Sequence, residues 1–250
     1  MVPVMRKIAG YTFAILFILA GWQLAAVLVA SPALPGPFDA IPMVVLYFSD
    51  LWPAFLVSLY RVLAAMVIGT VLAVPLGLMC GRSPRVDAVF APVLYFLYPL
   101  PKVVLLPVLI VLMGLADAPK ITLIAITVFF QVLVTVRDAA QSVPEDSVLS
   151  VRSLGAGRWD IYRHVVIPAT LPDLFTALRI SSGTAVAILF FAESLAGSTG
   201  LGYFIVDAWA LLAYPKMFAG IIAMALLGVV LYEVFEAAER RLTRWRRVGR

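Results

Sequence analysis

Long apolar stretches alternate along the chain with short polar or turn-rich segments. A helix needs about 20 consecutive apolar residues to cross a bilayer. Six stretches come close to or exceed that length, approximately at residues 9–30, 55–80, 88–115, 120–137, 173–196 and 217–238. The pattern therefore predicts an all-α integral membrane protein with six transmembrane helices, organised as one domain over residues 1–250. A short surface helix is expected near residues 41–51, after the proline-rich connection that follows the first span.

The composition supports a bilayer as the solvent of this chain. It is 63% hydrophobic and 13% charged, with a mean hydropathy of +1.04. A soluble domain averages about 45–50% apolar and about 25% charged residues. The polar residues are therefore too few to cover a globule in water.

The third apolar stretch is interrupted by prolines. It contains Pro92, Pro99, Pro101 and Pro107, with Lys102 near its middle. Proline removes a backbone donor and clashes with the preceding helical turn, so we expect a break near residues 98–102. The stretch could also form two short spans, which would reverse the orientation of everything after it.

Basic residues favour the single broken span. With six crossings, almost all of them fall on one side of the membrane, in the tails and in the second and fourth connections. The other side receives only Lys120 and Lys216. Because cytoplasmic loops are rich in Lys and Arg, both termini and the segment between spans four and five are predicted to be cytoplasmic. The net charge of +5 is explained in the same way, so nucleic acid is not an expected partner.

Few residues suggest a cofactor. Cys80 is the only cysteine and His164 the only histidine, which excludes an intrachain disulfide and disfavours a structural zinc site. No cofactor, metal or catalytic residue is predicted.

The segment at residues 144–168 is too polar to cross a membrane. Pro144, followed by Glu145 and Asp146, is typical of a helix start, and Gly155 with Gly157 permits a chain reversal with positive φ. A second short helix is expected to end at Pro168. The result is a helical hairpin, which serves either as a solvated connection or as a docking surface for another protein.

Polar residues inside the spans have two interpretations, because charge in a bilayer usually faces protein or water. Glu193 and Arg61 either line a pathway or gate, or form a structural pair near the extracytoplasmic end. Gln131 belongs to a stripe with Thr127 and Thr135 on span four. Such a stripe more often joins helices than contacts substrate.

The hairpin resembles a known motif. Gly155, Val165, Ile167 and Pro168 have the spacing of the EAA loop of ABC importer permeases. The stretches SLYRVLAAMVIGTVLAVPLGLMCGRSP, YPLPKVVLLPVLIVLMGLADAPKI and AESLAGSTGLGYFI are also similar to that family, most of all to its nitrate, sulfonate and taurine branch. One departure is clear: the Glu-Ala-Ala positions are occupied by Leu149, Ser150 and Val151, so the acidic residue is absent.

The resemblance implies the fold and partners of a type I ABC importer permease. The hairpin would be a cytoplasmic coupling helix that docks on a dimer of ATP-binding subunits through Arg152, Ser153, Leu154, Gly155, Ala156, Gly157, Trp159 and Pro168. An external binding protein would deliver a small nutrient to a mouth formed by residues 31–50 and 196–216. A second permease copy, as a homodimer, would complete the pathway in a bacterial inner membrane.

Other functional classes lack their sequence signatures. There is no G-x4-G-K-[ST] phosphate loop, and GSTGLG at residues 197–202 lacks the lysine and follows an apolar helix. We interpret GSTGLG as a flexible turn at the mouth. A secondary transporter would show internal repeats and a coupling-ion site at the midplane. A membrane enzyme would show paired catalytic residues. Neither pattern is found.

Overall fold

The computed structural model of the protein describes residues 2–244, with side chains from residue 10 onward. In this part of the chain, all regular structure is helical. The α-helices are α1 (Val2–Val29), α2 (Pro37–Leu46), α3 (Phe48–Arg82), α4 (Pro84–Leu97), α5 (Leu106–Met113), α6 (Asp117–Gln141), α7 (Glu145–Ser153), α8 (Arg158–Ile161), α9 (Ile167–Ala196), α10 (Leu201–Ala210) and α11 (Tyr214–Leu242). Five of the predicted orienting residues lie outside the described side chains: Arg6, Lys7, Arg246, Arg247 and Arg250.

Six crossings account for the long helices. Five continuous runs in the described part are long and apolar enough to cross a membrane, and the bent pair of α4 and α5 supplies a sixth. The six-span prediction is confirmed. The surface helix begins earlier than expected, at Pro37, because proline is favourable in the first turn of a helix. Only Tyr47 separates this helix from α3, which therefore starts at Phe48.

The predicted break in the third span is confirmed. Helix α4 ends at Leu97, and the chain resumes with a 3₁₀ turn at Lys102–Leu105 that leads into α5. The two halves are bent by 86°. Pro99 and Pro101 lie in the break, where they cannot donate the backbone hydrogen bonds that a continuous helix needs.

Helices α3 and α6 run parallel, and this direction decides the topology. Arg61 contacts Asp117, at an offset of 56 residues, and Gly69, Gly77 and Gly81 lie against residues 125, 133 and 137 at the same offset. Since two parallel helices start on the same face, the chain between them crosses back once. Arg61 and Gly81 are about 30 Å apart along the helix axis, which is the thickness of the bilayer core. The bent pair is therefore one crossing and not two.

Both ends of the described chain lie on the same face as the hairpin. Tyr11 of α1 donates a hydrogen bond to Glu233 of α11 at 2.6 Å, while Trp22 stacks on Phe218 with ring centroids 5.5 Å apart. These contacts make α1 and α11 antiparallel. We call this side the hairpin face. The opposite face holds α2, the turn before α6, and α10.

The second arm of the hairpin does not end at Pro168, contrary to the prediction. Helix α8 continues through a π-helical turn, Tyr162–Val166, into α9, so that Arg158–Ala196 is one helical run. The ring of Pro168 would clash with the carbonyl four residues earlier in a regular α-helix. The wider π turn just before it relieves that conflict. As a result, the hairpin is continuous with the fifth span.

Candidate functional site

The hairpin turn depends on Gly155. This residue has φ +87°, a conformation that L side chains rarely adopt. Its N–H donates to the carbonyl of Arg152 at 2.9 Å and closes the end of α7. A Cβ on Gly155 would meet nothing within 4 Å, so the space around the turn is open.

Gly157 has a different role from the predicted one. Its φ is −77°, so the reversal does not require a glycine at this position. The N–H of Gly157 donates to the carboxylate of Asp160 at 2.9 Å, which caps the start of α8. Only Gly155 supplies the positive φ that the sequence assigned to both residues.

An apolar tip projects from the hairpin. Leu154 is 86% exposed and Trp159 is 69% exposed, whereas Val148, Ile161 and Val166 are buried at the base. Of the other predicted docking residues, Arg152, Ser153, Gly155 and Gly157 are exposed, while Ala156 and Pro168 are half-buried. The structure thus brings the predicted docking residues together at one tip, except Pro168, which lies at the start of α9.

One ion pair ties the base of the hairpin to the second span, and a neighbouring one joins the third span to the fourth. Arg82 at the end of α3 pairs with Glu145 of α7 at 3.0 Å. Arg137 of α6 donates to Asp87 of α4 at 2.8 Å. Sequence reasoning missed Asp87 as a partner, although its position in the first turn of a helix, close to an arginine predicted to be cytoplasmic, was a usable signal.

Glu193 and Arg61 form a buried ion pair near the opposite face. The Arg61 guanidinium lies 2.7 Å from the Glu193 carboxylate, whose side chain has no exposed surface. Ser58 donates its hydroxyl to both carboxylate oxygens at 2.9 Å. Arg61 also donates to Asp117 at 2.6 Å and to the Thr199 carbonyl at 2.8 Å. The cluster joins α3, α6, α9 and the segment before α10.

The GSTGLG segment, predicted to be a flexible turn at the mouth, is packed around the Glu193 carboxylate. Gly200 has φ +101°, and a Cβ there would overlap the carboxyl group. The N–H of Gly202 donates to Glu193 at 2.8 Å, and the N–H of Leu201 donates to Ser58 at 2.8 Å. These N–H groups are among those that a helix start leaves unpaired, so Glu193 and Ser58 cap α10.

Sequence reasoning also missed Lys120 as a member of this cluster. Its side chain is 1% exposed, and its ammonium donates to the carbonyls of Leu115 and Ala116 at 3.0 and 2.9 Å. It therefore closes the turn that positions Asp117 at the start of α6. A basic residue near a span end looks like an interfacial side chain in the sequence, and only the packing shows it is buried.

Of the three described side chains in the polar stripe, Gln131 hydrogen-bonds to another helix. It donates to Thr184 of α9 at 3.3 Å. Thr127 and Thr135 donate instead to carbonyls of their own helix, at 3.1 and 3.0 Å. Within the described residues, no group of three or more His, Cys, Asp and Glu side chains could hold a metal ion.

Comparisons with known proteins agree with this architecture. A family described as the binding-protein-dependent transport system inner membrane component matches residues 73–244. A probable ABC transporter permease protein of Brucella melitensis is 31% identical over 229 residues, covering 91% of this chain and 93% of the relative. The taurine transport system permease protein TauC of Escherichia coli is 30% identical over 232 residues, covering 90% and 84%. The inward-facing MetNI methionine ABC transporter shares the fold, with a TM-score of 0.64 at 18% identity over 78% of this chain and 97% of that one.

Proposed function

The chain belongs to the family of inner-membrane components of binding-protein-dependent transport systems, and from that premise we propose that it couples the pathway of an importer to an ATPase through its hairpin. Family membership makes it the permease subunit of an ABC importer, which is not itself an enzyme. The observation that carries the coupling proposal is the exposed apolar tip at Leu154 and Trp159, built on a helix that continues into span five.

The tip fits a cleft in an ATP-binding subunit of a dimer. Leu154 and Trp159 fill the cleft, and Gly155 lets the partner backbone come close. Leu149, Ser150 and Val151 replace the acidic motif, so this contact relies on apolar burial and on Arg152 more than on a carboxylate. Because α8 continues into α9, a displacement of the tip moves the fifth span. ATP then shifts the balance between the inward-open and outward-open states, because it binds to the complex with different affinity in the two states.

The opposite face receives the substrate-binding protein. Residues 31–50 and 196–216 lie there, and each segment contains a short helix, α2 or α10. Arginines concentrate on the hairpin face, so this face and both termini lie in the cytoplasm. The mouth is then extracytoplasmic, which is the side where a binding protein delivers its ligand.

Arg61 and Glu193 hold the mouth together as a gate element. Their pair fixes α10 to α3 and α6, so opening the mouth at α10 has to weaken it. Gln131 is a second candidate gate residue, at the contact between α6 and α9. Its Oε1 is buried without a hydrogen-bond partner among the described residues, so a small shift of α9 can change its contacts.

The substrate is a small nutrient of the nitrate, sulfonate or taurine type, and two identical permease chains enclose its path. TauC, a relative at 30% identity, is named as a taurine permease. Glu193 is neutralised by Arg61 and has no exposed surface, so it does not repel an anion.

An affinity pull-down from detergent-solubilised native membranes tests the coupling proposal. We expect a subunit with G-x4-G-K-[ST] to co-purify with the wild-type chain, and Gly155→Trp to abolish both its recovery and substrate-stimulated ATP hydrolysis. Gly155→Ala is the matched control, because it carries the same backbone strain without the bulk. Recovery of the chain without an ATPase, or unchanged hydrolysis in Gly155→Trp, would reject the docking role.

A further inference from the structure

An apolar pocket lies beside the break in the third span. Its volume is about 590 Å³, and it is walled by α3, the break and α6. The walls are almost entirely aliphatic and aromatic, with Ile68, Leu72, Ile121 and Phe130 among them, and Lys102 is the one charged side chain in the lining.

The pocket lies close to the middle of the bilayer. Ile68 and Leu72 are about 10–17 Å along α3 from Arg61, and the crossing from Arg61 to Gly81 is about 30 Å long. Phosphate headgroups lie at the edges of the hydrocarbon core, about 15 Å from its centre. A lipid headgroup therefore does not reach this depth, although the acyl chains do.

The ammonium of Lys102 is part of the pocket lining. Its ammonium donates to the carbonyl of Tyr98 and lies 5.3 Å from the Tyr98 ring centroid and 5.1 Å from that of Phe130. Aromatic faces stabilise a cation without neutralising it. No carboxylate of the described residues pairs with it, and a lysine ammonium has three donors, so two N–H groups remain for a ligand.

A lone cation at the midplane needs a polar neighbour, because charge in hydrocarbon is expensive. The broken backbone at residues 98–101 has the same requirement, since it is tolerated only against protein or water. Both conditions are met if the pocket opens to a water-filled path. An apolar wall with one ammonium then fits a small organic anion, whose charged group meets Lys102 and whose body meets the aliphatic wall.

We propose that Lys102 is the residue of the translocation pathway that recognises the anionic group of the substrate. The inference rests on the proposed function, because the pathway is that of the importer. It deepens that function by placing anion selectivity within this chain and not solely in the binding protein that delivers the ligand.

Thiol labelling tests this assignment on the permease with its co-purifying subunits in proteoliposomes. Cys80 is the only cysteine in the sequence, so Cys80→Ala gives a permease chain without thiols, and labelling is read on that chain alone. Thr122→Cys then adds one thiol to the pocket wall. The probes are the anionic sulfonatoethyl and the cationic trimethylammonioethyl methanethiosulfonates. For each protein, the labelling rate with the anionic reagent is divided by the rate with the cationic one. Comparing this ratio between the Lys102 and Lys102→Met proteins, which carry the same thiol, cancels the intrinsic reactivity of each reagent.

We expect labelling of Thr122→Cys, with a preference for the anionic reagent that falls about tenfold in Lys102→Met, since one charge acts with opposite sign on the two reagents. Lys102→Arg should keep the preference. Absence of labelling would show a lipid-filled groove and overturn the proposal, as would an unchanged ratio in Lys102→Met. The readout does not depend on ATP hydrolysis or on Gly155, so it can fail while the pull-down succeeds, and the reverse.

Discussion

Substituting Arg61 and substituting Glu193 break the same buried ion pair, but the two changes should have unequal effects on stability. Arg61→Leu leaves Glu193 buried, with only Ser58 and the Gly202 N–H as partners. Glu193→Gln leaves Arg61 bound to Asp117 and to Thr199, so its charge stays neutralised. Removing one partner of a buried pair costs about 3–5 kcal/mol, whereas losing one charged hydrogen bond costs about 1.5–3 kcal/mol. We therefore expect Arg61→Leu to lower the free energy of unfolding by about 2 kcal/mol more than Glu193→Gln.

The double variant adds a sharper test. Once Glu193 is already glutamine, Arg61→Leu no longer leaves an unpaired buried carboxylate. Its additional cost should be smaller by about 2 kcal/mol, within the range observed for residues in direct contact. Glu193→Gln should also leave complex assembly intact. If it leaves the transport rate and the basal ATP hydrolysis unchanged as well, the gate role of Glu193 fails and a purely structural role stands.

Unfolding in mixed micelles with increasing SDS measures these differences. Cys80 is 1% exposed and free, so its reaction with a thiol-reactive dye reports loss of packing without any added label. Equal midpoints and slopes for Arg61→Leu and Glu193→Gln would refute the reasoning. Strict additivity in the double variant would refute it too, because it would mean that the two side chains do not depend on each other.

Three further predictions concern backbone geometry. Gly200→Ala should lower the free energy of unfolding by about 2–4 kcal/mol, because the residue has a positive φ and its new Cβ would overlap the Glu193 carboxylate. Gly183→Ala is the control in the same unfolding assay, since a Cβ there meets nothing within 4 Å. Gly77→Leu should cost at least about 1–3 kcal/mol, because a Cβ at Gly77 already lies 3.0 Å from a carbonyl of α6. Gly228→Leu should be tolerated, because a Cβ there meets nothing within 4 Å. A smaller loss for Gly77→Leu would contradict the close parallel contact of α3 with α6. Pro168→Ala should leave stability almost unchanged but lower substrate-stimulated ATP hydrolysis several-fold, because the π turn can relax to an α-helix and rotate the hairpin tip; full stimulation would show that the π turn does not set the orientation of the tip.

The sequence was most informative where one physical variable dominates. The hydrocarbon core of the bilayer fixes both the length and the apolarity that a crossing needs, and the six crossings follow from these two requirements. The break at residues 98–102 was predictable because two prolines remove backbone donors whatever the surroundings. The hairpin was predictable because Gly155 can adopt a positive φ that other residues avoid.

Features that depend on tertiary contacts were only partly accessible. Arg61 and Glu193 were identified as candidates, but 132 residues separate them, and nothing local shows that they pair. Ser58 and Lys120 were missed, because a hydroxyl or an ammonium near a span end resembles an ordinary interfacial residue. GSTGLG was assigned to a flexible turn, since the carboxylate it surrounds comes from another helix. Pro168 was assigned to a helix end, because the sequence does not distinguish a stop from a π turn that accommodates the proline.

ATP-driven uptake by reconstituted proteoliposomes tests the central claim most directly. The permease is reconstituted with its co-purified ATPase, and the companion binding protein is added outside with radiolabelled taurine, an alkanesulfonate or nitrate. The account predicts that at least one of these solutes accumulates, that accumulation requires internal ATP and the binding protein, and that Gly155→Trp abolishes it. Solute movement by the chain alone, independent of ATP and unchanged in Gly155→Trp, would contradict the account and identify a stand-alone transporter.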